Sequence, residues 1–113
     1  MTEQTDDGAS ERSGAVVDEQ DRHRFVLVED GIEAQLVYRV RDGRIILEHT
    51  EVPEEIGGRG LGGRLVRAAL ERASAEGLTV APWCPYARRW IEKHPDEAGS
   101  VAVDWSAPPS GSG

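Results

Sequence analysis

The stretch HTEVPEEIGGRGLGGRLVRAAL, residues 49–70, decides how the chain folds. It begins as a strand, passes through a loop with five glycines between residues 57 and 63, and continues with apolar residues at helical spacing. Glycine lets the backbone adopt positive φ and come close to a ligand, and the free N–H groups at a helix start attract anions. We therefore predict a strand–loop–helix unit that holds a phosphate or pyrophosphate, with a flexible strand-to-helix connector as the alternative.

Three segments before this unit alternate apolar and polar residues, which is typical of strands with one buried face. They span residues 23–29, 32–41 and 44–52. The dipeptide Asp-Gly separates each segment from the next. Because Asp-Gly between alternating segments is a strong hairpin signal, we predict a three-stranded antiparallel meander.

The segments after the glycine loop predict a helix, a strand and a second helix. Apolar residues repeat at helical spacing from Leu61 onward, and Gly77 suits the end of that helix. The segment LTVAP, residues 78–82, has the composition of a short buried strand. Pro85 suits the first position of a short helix, and Pro95 disfavours its continuation. The order βββ-α-β-α predicts one small α/β (α+β) domain.

The composition restricts the class of protein. The 113 residues suffice for one domain, and the formal net charge is −8. The sequence has no run of about 18 apolar residues, so no membrane helix is predicted. The acidic N-terminus lacks the apolar stretch of a secretory signal. One cysteine builds no disulfide framework, no basic patch dominates, and no His, Asp or Glu spacing suggests a metal site. We expect a cytoplasmic protein with a reduced thiol and without a nucleic acid or a membrane as partner.

Both terminal segments are too polar to form a core. Residues 1–21 carry most of the net negative charge and predict a disordered acidic tail. Residues 99–113 end in Pro, Ser and Gly and predict a flexible tail. The folded domain is therefore placed at residues 22–98, as a monomer or weak dimer. Trp105 lies beyond it, and the sequence leaves open whether it docks on the domain or marks a partner contact.

Two known phosphate-binding patterns do not fit the glycine loop, the first in its residues and the second in its surroundings. The P-loop pattern requires Lys and then Ser or Thr after its last glycine, but Gly63 and Arg64 stand there. The dinucleotide-binding pattern GxGxxG does occur, at Gly58, Gly60 and Gly63. Antiparallel hairpins precede it, however, and no acidic residue ends the next strand, so its context differs from that of a dinucleotide fold.

Three motifs in order resemble the GCN5-related N-acetyltransferase family. They are HTEVP, GRGLGGRLVRAAL and VAPWCPYARRWIEKHP, and the resemblance covers about residues 23–97. The acetyl-CoA loop of the family reads Arg/Gln-x-x-Gly-x-Gly/Ala between a strand and a helix. Gly60 and Gly62 match its two small positions, whereas Gly57 stands where Arg or Gln is usual. The compact YjdJ-type branch of the family is similar to this chain in length and in all three motifs.

This resemblance implies that the cosubstrate is acetyl-CoA, with its thioester in a splayed gap between the strands 44–52 and 78–82. Backbone N–H groups of residues 59–63 would hold the pyrophosphate, and the side chain of Arg59 could add a charged donor. Residues 50–52 would pair with the pantetheine arm as an added strand does. The candidate binding residues are Thr50, Val52, Gly58, Arg59, Gly60, Leu61, Gly62, Gly63, Tyr86 and Arg89.

Cys84 is the first candidate for catalysis. It directly precedes Pro85, which makes it the predicted N-cap of the second helix, where the helix field favours a thiolate. The branch resembled here has a cysteine at this place. The thiol could take the acetyl group as a nucleophile, line the acetyl pocket, or pack as a small buried side chain.

His49 and Glu51 are the second pair of catalytic candidates. In a regular strand they project to the same face as Ile45 and Leu47. Either one could accept the proton of an incoming ammonium group, directly or through water. An ordinary cross-strand pair is the alternative.

Tyr86 and Arg89 complete the candidates. In larger members of the family a tyrosine on this helix protonates the departing thiolate, and Tyr86 stands near that place. Arg89 could meet a phosphate of CoA. Packing on the surface is the alternative for both side chains, because each has a long apolar part.

The resemblance implies an N-acetyltransferase, an acyltransferase that uses acetyl-CoA to modify an amine of a small molecule or of a protein or peptide. A non-catalytic acyl-CoA-binding or regulatory module would keep the same site without turnover. An interaction module whose acidic tail carries the function is the third possibility.

Overall fold

The computed structural model describes residues 15–99 and 101–106. Five strands form one sheet in the order β1-β2-β3-β4-β5. The strands are β1 (Val17–Glu19), β2 (Arg24–Glu29), β3 (Ile32–Arg41), β4 (Arg44–Glu51) and β5 (Thr79–Pro82). The helices are α1 (Leu61–Glu76) and α2 (Pro85–Lys93), with short 3-10 turns at Gln20–Arg22 and Glu54–Ile56.

The two Asp-Gly turns form as predicted. Asp30 and Gly31 join β2 to β3 with φ angles of 55° and 78°, and Asp42 and Gly43 join β3 to β4 with 55° and 74°. Two consecutive positive φ angles are typical of the type I′ turn, whose twist matches that of the flanking strands. The strands β2, β3 and β4 pair antiparallel, which confirms the predicted meander.

The crossover through α1 places β5 parallel to β4. Their pairing runs from Arg44 opposite Thr79 to Leu47 opposite Pro82. β4 continues beyond this point to Glu51. Within the described residues, the second half of β4 therefore has no partner strand on the side of β5.

Apolar side chains from both helices and from one face of the sheet form a single core. The contribution of the sheet follows the strand period of two, since alternate residues are buried in this core. Its most completely buried members include Leu27, Leu36, Ile45, Leu47, Leu65, Val66 and Val80. None of the described helices has the length and apolar character needed to cross a membrane. The predicted α/β class is confirmed, and so is the predicted order of elements from β2 onward.

The folded part begins earlier than the sequence predicts. β1 lies within the segment assigned to a disordered tail, 1–21, and that assignment is wrong for residues 17–19. β1 pairs with β2, and its Asp18 accepts a hydrogen bond from Tyr38. A strand of three residues is too short to show a recognisable alternation of apolar and polar residues. It forms because residues distant in sequence pair with it. Residues 1–14, 100 and 107–113 of the predicted tails lie outside the described residues.

The last described segment also docks on the domain, beyond the predicted limit at residue 98. Val103 forms a parallel bridge with Val80 at the outer edge of β5. Trp105 lies under the guanidinium of Arg88, 5.4 Å from the ring centre, and its carbonyl accepts a hydrogen bond from the same side chain. Trp105 therefore docks on α2.

Candidate functional site

β4 contains a β-bulge directly after the residues that pair with β5. Val37 lies opposite His49 and the next residue, Tyr38, lies opposite Leu47, so Glu48 is an extra residue in β4. Bulges bend a strand and increase its twist. The last backbone contact to the β5 side joins the N–H of Cys84 to the carbonyl of Leu47 at 2.9 Å. Beyond it, the described residues show no further pairing between β4 and the chain after β5, and the splayed gap between the strands stays a prediction.

An open groove of about 480 Å³ lies beside the free edge of β4. Its walls come from the end of β4, the glycine loop and the first turns of both helices. The lining residues are Thr50, Val52, Gly57, Gly58, Gly60, Leu61, Gly62 and Tyr86. This volume lies within the range of small-molecule sites, about 300–1,000 Å³.

The glycine loop brings the start of α1 to this groove. Gly58 and Gly60 have φ angles of 77° and 76°, a conformation that favours glycine. Gly60 is the N-cap residue, and no side chain caps the helix. The first backbone bond within the helix joins the N–H of Arg64 to the carbonyl of Gly60. The N–H groups of residues 61–63 therefore have no partner within the helix and are available to an anion.

Gly62 and Gly63 lie where a side chain would not fit, which is a different reason for glycine from a positive φ angle. A Cβ atom at Gly62 would lie 2.6 Å from the hydroxyl oxygen of Tyr86, and one at Gly63 would lie 2.5 Å from Nε1 of Trp90. These glycines let α2 pack closely on the first turn of α1. Ligand binding was predicted for the whole five-glycine loop, whereas close helix packing accounts for Gly62 and Gly63.

The side chain of Arg59 is held by two carboxylates at the edge of the loop. Its Nη1 lies 2.8 Å from Oε2 of Glu29 and 2.9 Å from Oδ2 of Asp30. The hydrogen bonds to Asp30 and Glu29 raise the pKa of the guanidinium above its usual value. The other oxygen of Glu29 is buried and has no hydrogen-bond partner. The predicted donor for pyrophosphate is thus engaged by the β2–β3 turn.

Cys84 is the N-cap of α2, as predicted, and contacts Thr50 of the groove wall. The residue is buried, and its Sγ lies 3.2 Å from the hydroxyl oxygen of Thr50. The pKa of Tyr86 is raised above its usual value, mainly by burial and further by the charge of Cys84. Tyr86 therefore keeps its proton at neutral pH. The thiol of Cys84 thus contacts the hydroxyl of Thr50, and Thr50 and Tyr86 both line the groove.

The bulge moves His49 and Glu51 to the other face of the sheet, which corrects the prediction. Leu47 pairs with Tyr38 on the core face, and His49 pairs with Val37, which points the opposite way. The side chains of His49 and Glu51 are each 60% exposed, and their nearest charged atoms are 3.8 Å apart. One extra residue in a strand reverses the facing of all that follow, and a single sequence does not reveal it.

The structure brings most of the predicted binding residues together, but not all. Thr50, Val52 and Tyr86 line the groove, together with Gly58, Gly60, Leu61 and Gly62. The backbone of Gly63 lies under Trp90, and Arg59 and Arg89 are outside the lining. Sequence reasoning missed the contact between Thr50 and Cys84, because 34 residues separate the two. In the described part of the chain, no group of three or more His, Cys, Asp or Glu side chains could hold a metal ion.

The family model of the GCN5-related N-acetyltransferases matches residues 24–100, which is well over half of the chain. The chain belongs to this family. The family identified from the sequence motifs is thereby confirmed, and its members generally use acetyl-CoA. The assignment to the compact YjdJ-type branch stays a prediction.

Relatives of similar size support the same family. The mouse protein NATD1 is 34% identical over 100 residues, which cover 84% of this chain and 91% of the relative. Human NATD1 is 34% identical over 93 residues, 78% of this chain and 82% of the relative. The solution structure of a GCN5-like protein from Staphylococcus aureus aligns with a TM-score of 0.62 and 30% identity, covering 78% of this chain and 88% of that one. The similarity thus extends over nearly the whole folded domain.

Proposed function

We propose that this protein is an N-acetyltransferase that uses acetyl-CoA to modify an amine. The observation that carries the proposal is the combination, in one groove, of a free β-strand edge and an uncapped helix start. A strand edge offers N–H and C=O groups to an extended amide chain. A helix start offers N–H groups to an anion. Acetyl-CoA joins these two chemistries, since its pantetheine arm contains amides and its pyrophosphate is anionic.

The residues present fit this cosubstrate. Backbone N–H groups at Leu61, Gly62 and Gly63 would hold the pyrophosphate, and Gly58 and Gly60 leave open space where other residues carry a Cβ. The backbone of residues 50–52 would pair with the pantetheine arm. Bound acetyl-CoA supplies a thioester whose acyl carbon accepts an amine. The amine nitrogen bonds to that carbon, and the carbon–sulfur bond breaks with its electron pair on sulfur. The nitrogen loses one proton, and the departing thiolate gains one to become the free thiol of CoA.

Tyr86 is the residue we propose to donate that proton to sulfur. It lines the groove and, with its raised pKa, stays protonated at neutral pH. Cys84 lies beside it with Thr50. Its thiol either takes the acetyl group as a nucleophile or lines the acetyl pocket, and the Cys84→Ala variant separates these roles.

His49 and Glu51 would act from the opposite face of the sheet. An amine that approaches the gap from that face meets His49, whose imidazole is a suitable general base for the proton of an ammonium group. One carboxylate oxygen of Glu51 lies 3.8 Å from Nε2 of His49, and Gln35 donates a hydrogen bond to the other oxygen at 2.9 Å. This arrangement would keep the ammonium neutralisation separate from the thiolate protonation.

The same placement supports the alternative of a non-catalytic acyl-CoA-binding or regulatory module. His49 and Glu51 are exposed and lie outside the groove lining, so the groove could bind a thioester without a base inside it. Turnover decides between the two functions. The acceptor is a small-molecule amine or a protein or peptide amine, and we place the protein in the cytoplasm, where a single cysteine stays reduced.

Binding is tested first, by thermal unfolding of the full chain with acetyl-CoA and with NAD as control. A ligand at about 100-fold excess over its Kd adds roughly 2.7 kcal/mol to the stability of the native state. We expect the Tm to rise by on the order of 10 °C with acetyl-CoA and to stay unchanged with NAD. No rise with either ligand would remove the proposed cosubstrate.

Turnover is then measured as release of free CoA thiol with a panel of amines. We expect wild-type protein to release thiol in an amine-dependent way and Tyr86→Phe to release it at least about tenfold more slowly with little change in acetyl-CoA affinity. If Cys84 is the nucleophile, Cys84→Ala abolishes release; if it lines the pocket, release persists. Binding of acetyl-CoA without amine-dependent release would support the non-catalytic module instead.

A further inference from the structure

A second, smaller depression adjoins the groove along α2. It is lined by Tyr86, Arg89, Trp90 and Lys93, and Tyr86 belongs to both sites. Its volume of about 220 Å³ is below the range of complete small-molecule sites, about 300–1,000 Å³. The depression therefore suits one group of a larger ligand that lies mainly in the groove.

Arg89 and Lys93 differ from most of the basic side chains around them. On the two helices, Arg67, Arg72 and Arg88 each have a carboxylate partner. Within residues 15–99 and 101–106, Arg89 and Lys93 have neither an ion pair nor a hydrogen bond, and both are exposed. Since the chain carries a net charge of −8, two neighbouring cations without a carboxylate are unusual here and are free to meet an anionic ligand.

The spacing of these cations along α2 sets their distance from the proposed pyrophosphate position. The hydroxyl oxygen of Tyr86 rests against Gly62 in the first turn of α1. From Tyr86, a rise of about 1.5 Å per residue puts Arg89 roughly 4.5 Å and Lys93 roughly 10 Å further along α2. The two cations lie four residues apart, so they share one side of the helix. A second phosphate one sugar away from the pyrophosphate falls within this reach.

We infer that Arg89 and Lys93 bind the 3′-phosphate of CoA and make the protein select 3′-phosphorylated CoA over its dephospho form. The inference rests on the proposed function. In CoA the ribose alone separates the 3′-phosphate from the pyrophosphate, and the 3′-phosphate is largely a dianion at neutral pH. Arginine and lysine are the side chains suited to it, the first through paired N–H groups and the second as a point charge.

The test compares the affinities for acetyl-CoA and for acetyl-3′-dephospho-CoA by calorimetric titration of the full chain at low ionic strength. We expect the wild type to bind acetyl-CoA about tenfold more tightly, as charge-assisted hydrogen bonds to one phosphate provide. In the double variant Arg89→Gln/Lys93→Gln, the affinity for acetyl-CoA falls to that for the dephospho form. The matched control Arg22→Gln/Arg41→Gln also removes two exposed charges, outside both sites, and keeps the preference.

Each outcome has one meaning. Equal wild-type affinities for the two ligands overturn the inference and leave the proposed function standing. A preference that survives in Arg89→Gln/Lys93→Gln also overturns it, because another site then reads the phosphate. If neither ligand binds, the proposed function itself fails. A preference that shrinks as salt is added supports the inference, because salt screens exposed charges.

Discussion

The two ends of α1 differ in whether their polar groups have partners within the protein. At the first turn, the N-cap Gly60 offers no side chain to the free N–H groups, and an open groove lies beside it. In the last turns, Arg72 binds Asp18, Glu76 and the hydroxyl of Tyr38. Gly77 then closes the helix in the left-handed conformation. Polar groups are left without partners where a ligand is proposed and are satisfied where the helix joins the rest of the domain.

This difference shows how a small domain separates binding from stability on one helix. A partly buried cluster such as Asp18, Tyr38 and Arg72 contributes to stability because each member has partners. Unsatisfied N–H groups at the open end cost stability until an anion binds, so they favour ligand binding. Substitutions at the two ends should therefore change different measured quantities.

The largest effect is expected at the open end, for Gly60→Asp. The new carboxylate would occupy the free N–H groups and repel the pyrophosphate, so the affinity for acetyl-CoA should fall about 100-fold. Gly43→Asp is the matched control, because Gly43 has nearly the same φ angle and equally open surroundings but lies in the β3–β4 turn. Calorimetric titration measures both variants. Equal affinities in the two would place the anion site elsewhere.

At the C-terminal end of α1, where Arg72 contacts the hydroxyl of Tyr38, high pH should lower the stability of the fold. The pKa of Tyr38 is raised from its usual 10.0 to about 12, mainly by burial and next by the hydrogen bond to Asp18. The folded state then holds this proton more tightly than the unfolded state does. The contribution is fully present below pH 10 and is lost as the pH rises toward 12, by about 2 kcal/mol.

Urea unfolding between pH 9 and about 12 measures this loss, with Tyr38→Phe as the comparison. The variant lacks the phenol, so its stability should decline less steeply over the same range. Parallel declines in the two proteins would contradict the assignment to Tyr38. Acetyl-CoA affinity at neutral pH should be the same in both, because Tyr38 lies outside the groove.

Gly63→Val tests whether the open end also carries packing. A Cβ at this position would meet the indole of Trp90 at 2.5 Å, and Trp90 is itself stacked on His94. We expect the free energy of unfolding to fall by about 1.5 kcal/mol, as overpacking of a closed contact does. Ala75→Val, at an exposed position of the same helix, measures the cost of valine alone. A loss no larger than in that control would mean that α2 can move away from α1.

The smallest effect is expected at the ion pairs of Arg59. Asp30→Asn removes one negative charge near the proposed pyrophosphate and releases part of the hold on the guanidinium. The affinity for acetyl-CoA should rise about threefold at low salt. Asp42→Asn is the control, because Asp42 has the same φ of 55° in the other Asp-Gly turn. Weaker binding in Asp30→Asn would show instead that this carboxylate positions the loop for the ligand.

Much of the fold was accessible from the sequence because its signals are local. Asp-Gly dipeptides set the two type I′ turns, Pro85 set the start of α2, and Gly77 ended α1. The glycine loop likewise predicted an uncapped helix start. Positions that depend on strand register were not accessible. His49 and Glu51 changed face because Glu48 is a bulge, and a bulge depends on how two strands pair.

The sequence by itself determined the element order from β2 onward, the turns and the strand–loop–helix unit, since short-range backbone preferences and hydrophobic periodicity define them. Only the tertiary structure decided which charges are free. Arg59 and Arg89 look alike in the sequence, yet two carboxylates from the β2–β3 turn hold the first, and none of the described carboxylates pairs with the second. Such pairings join residues far apart in the chain, so they arise only when the sheet and helices are packed together.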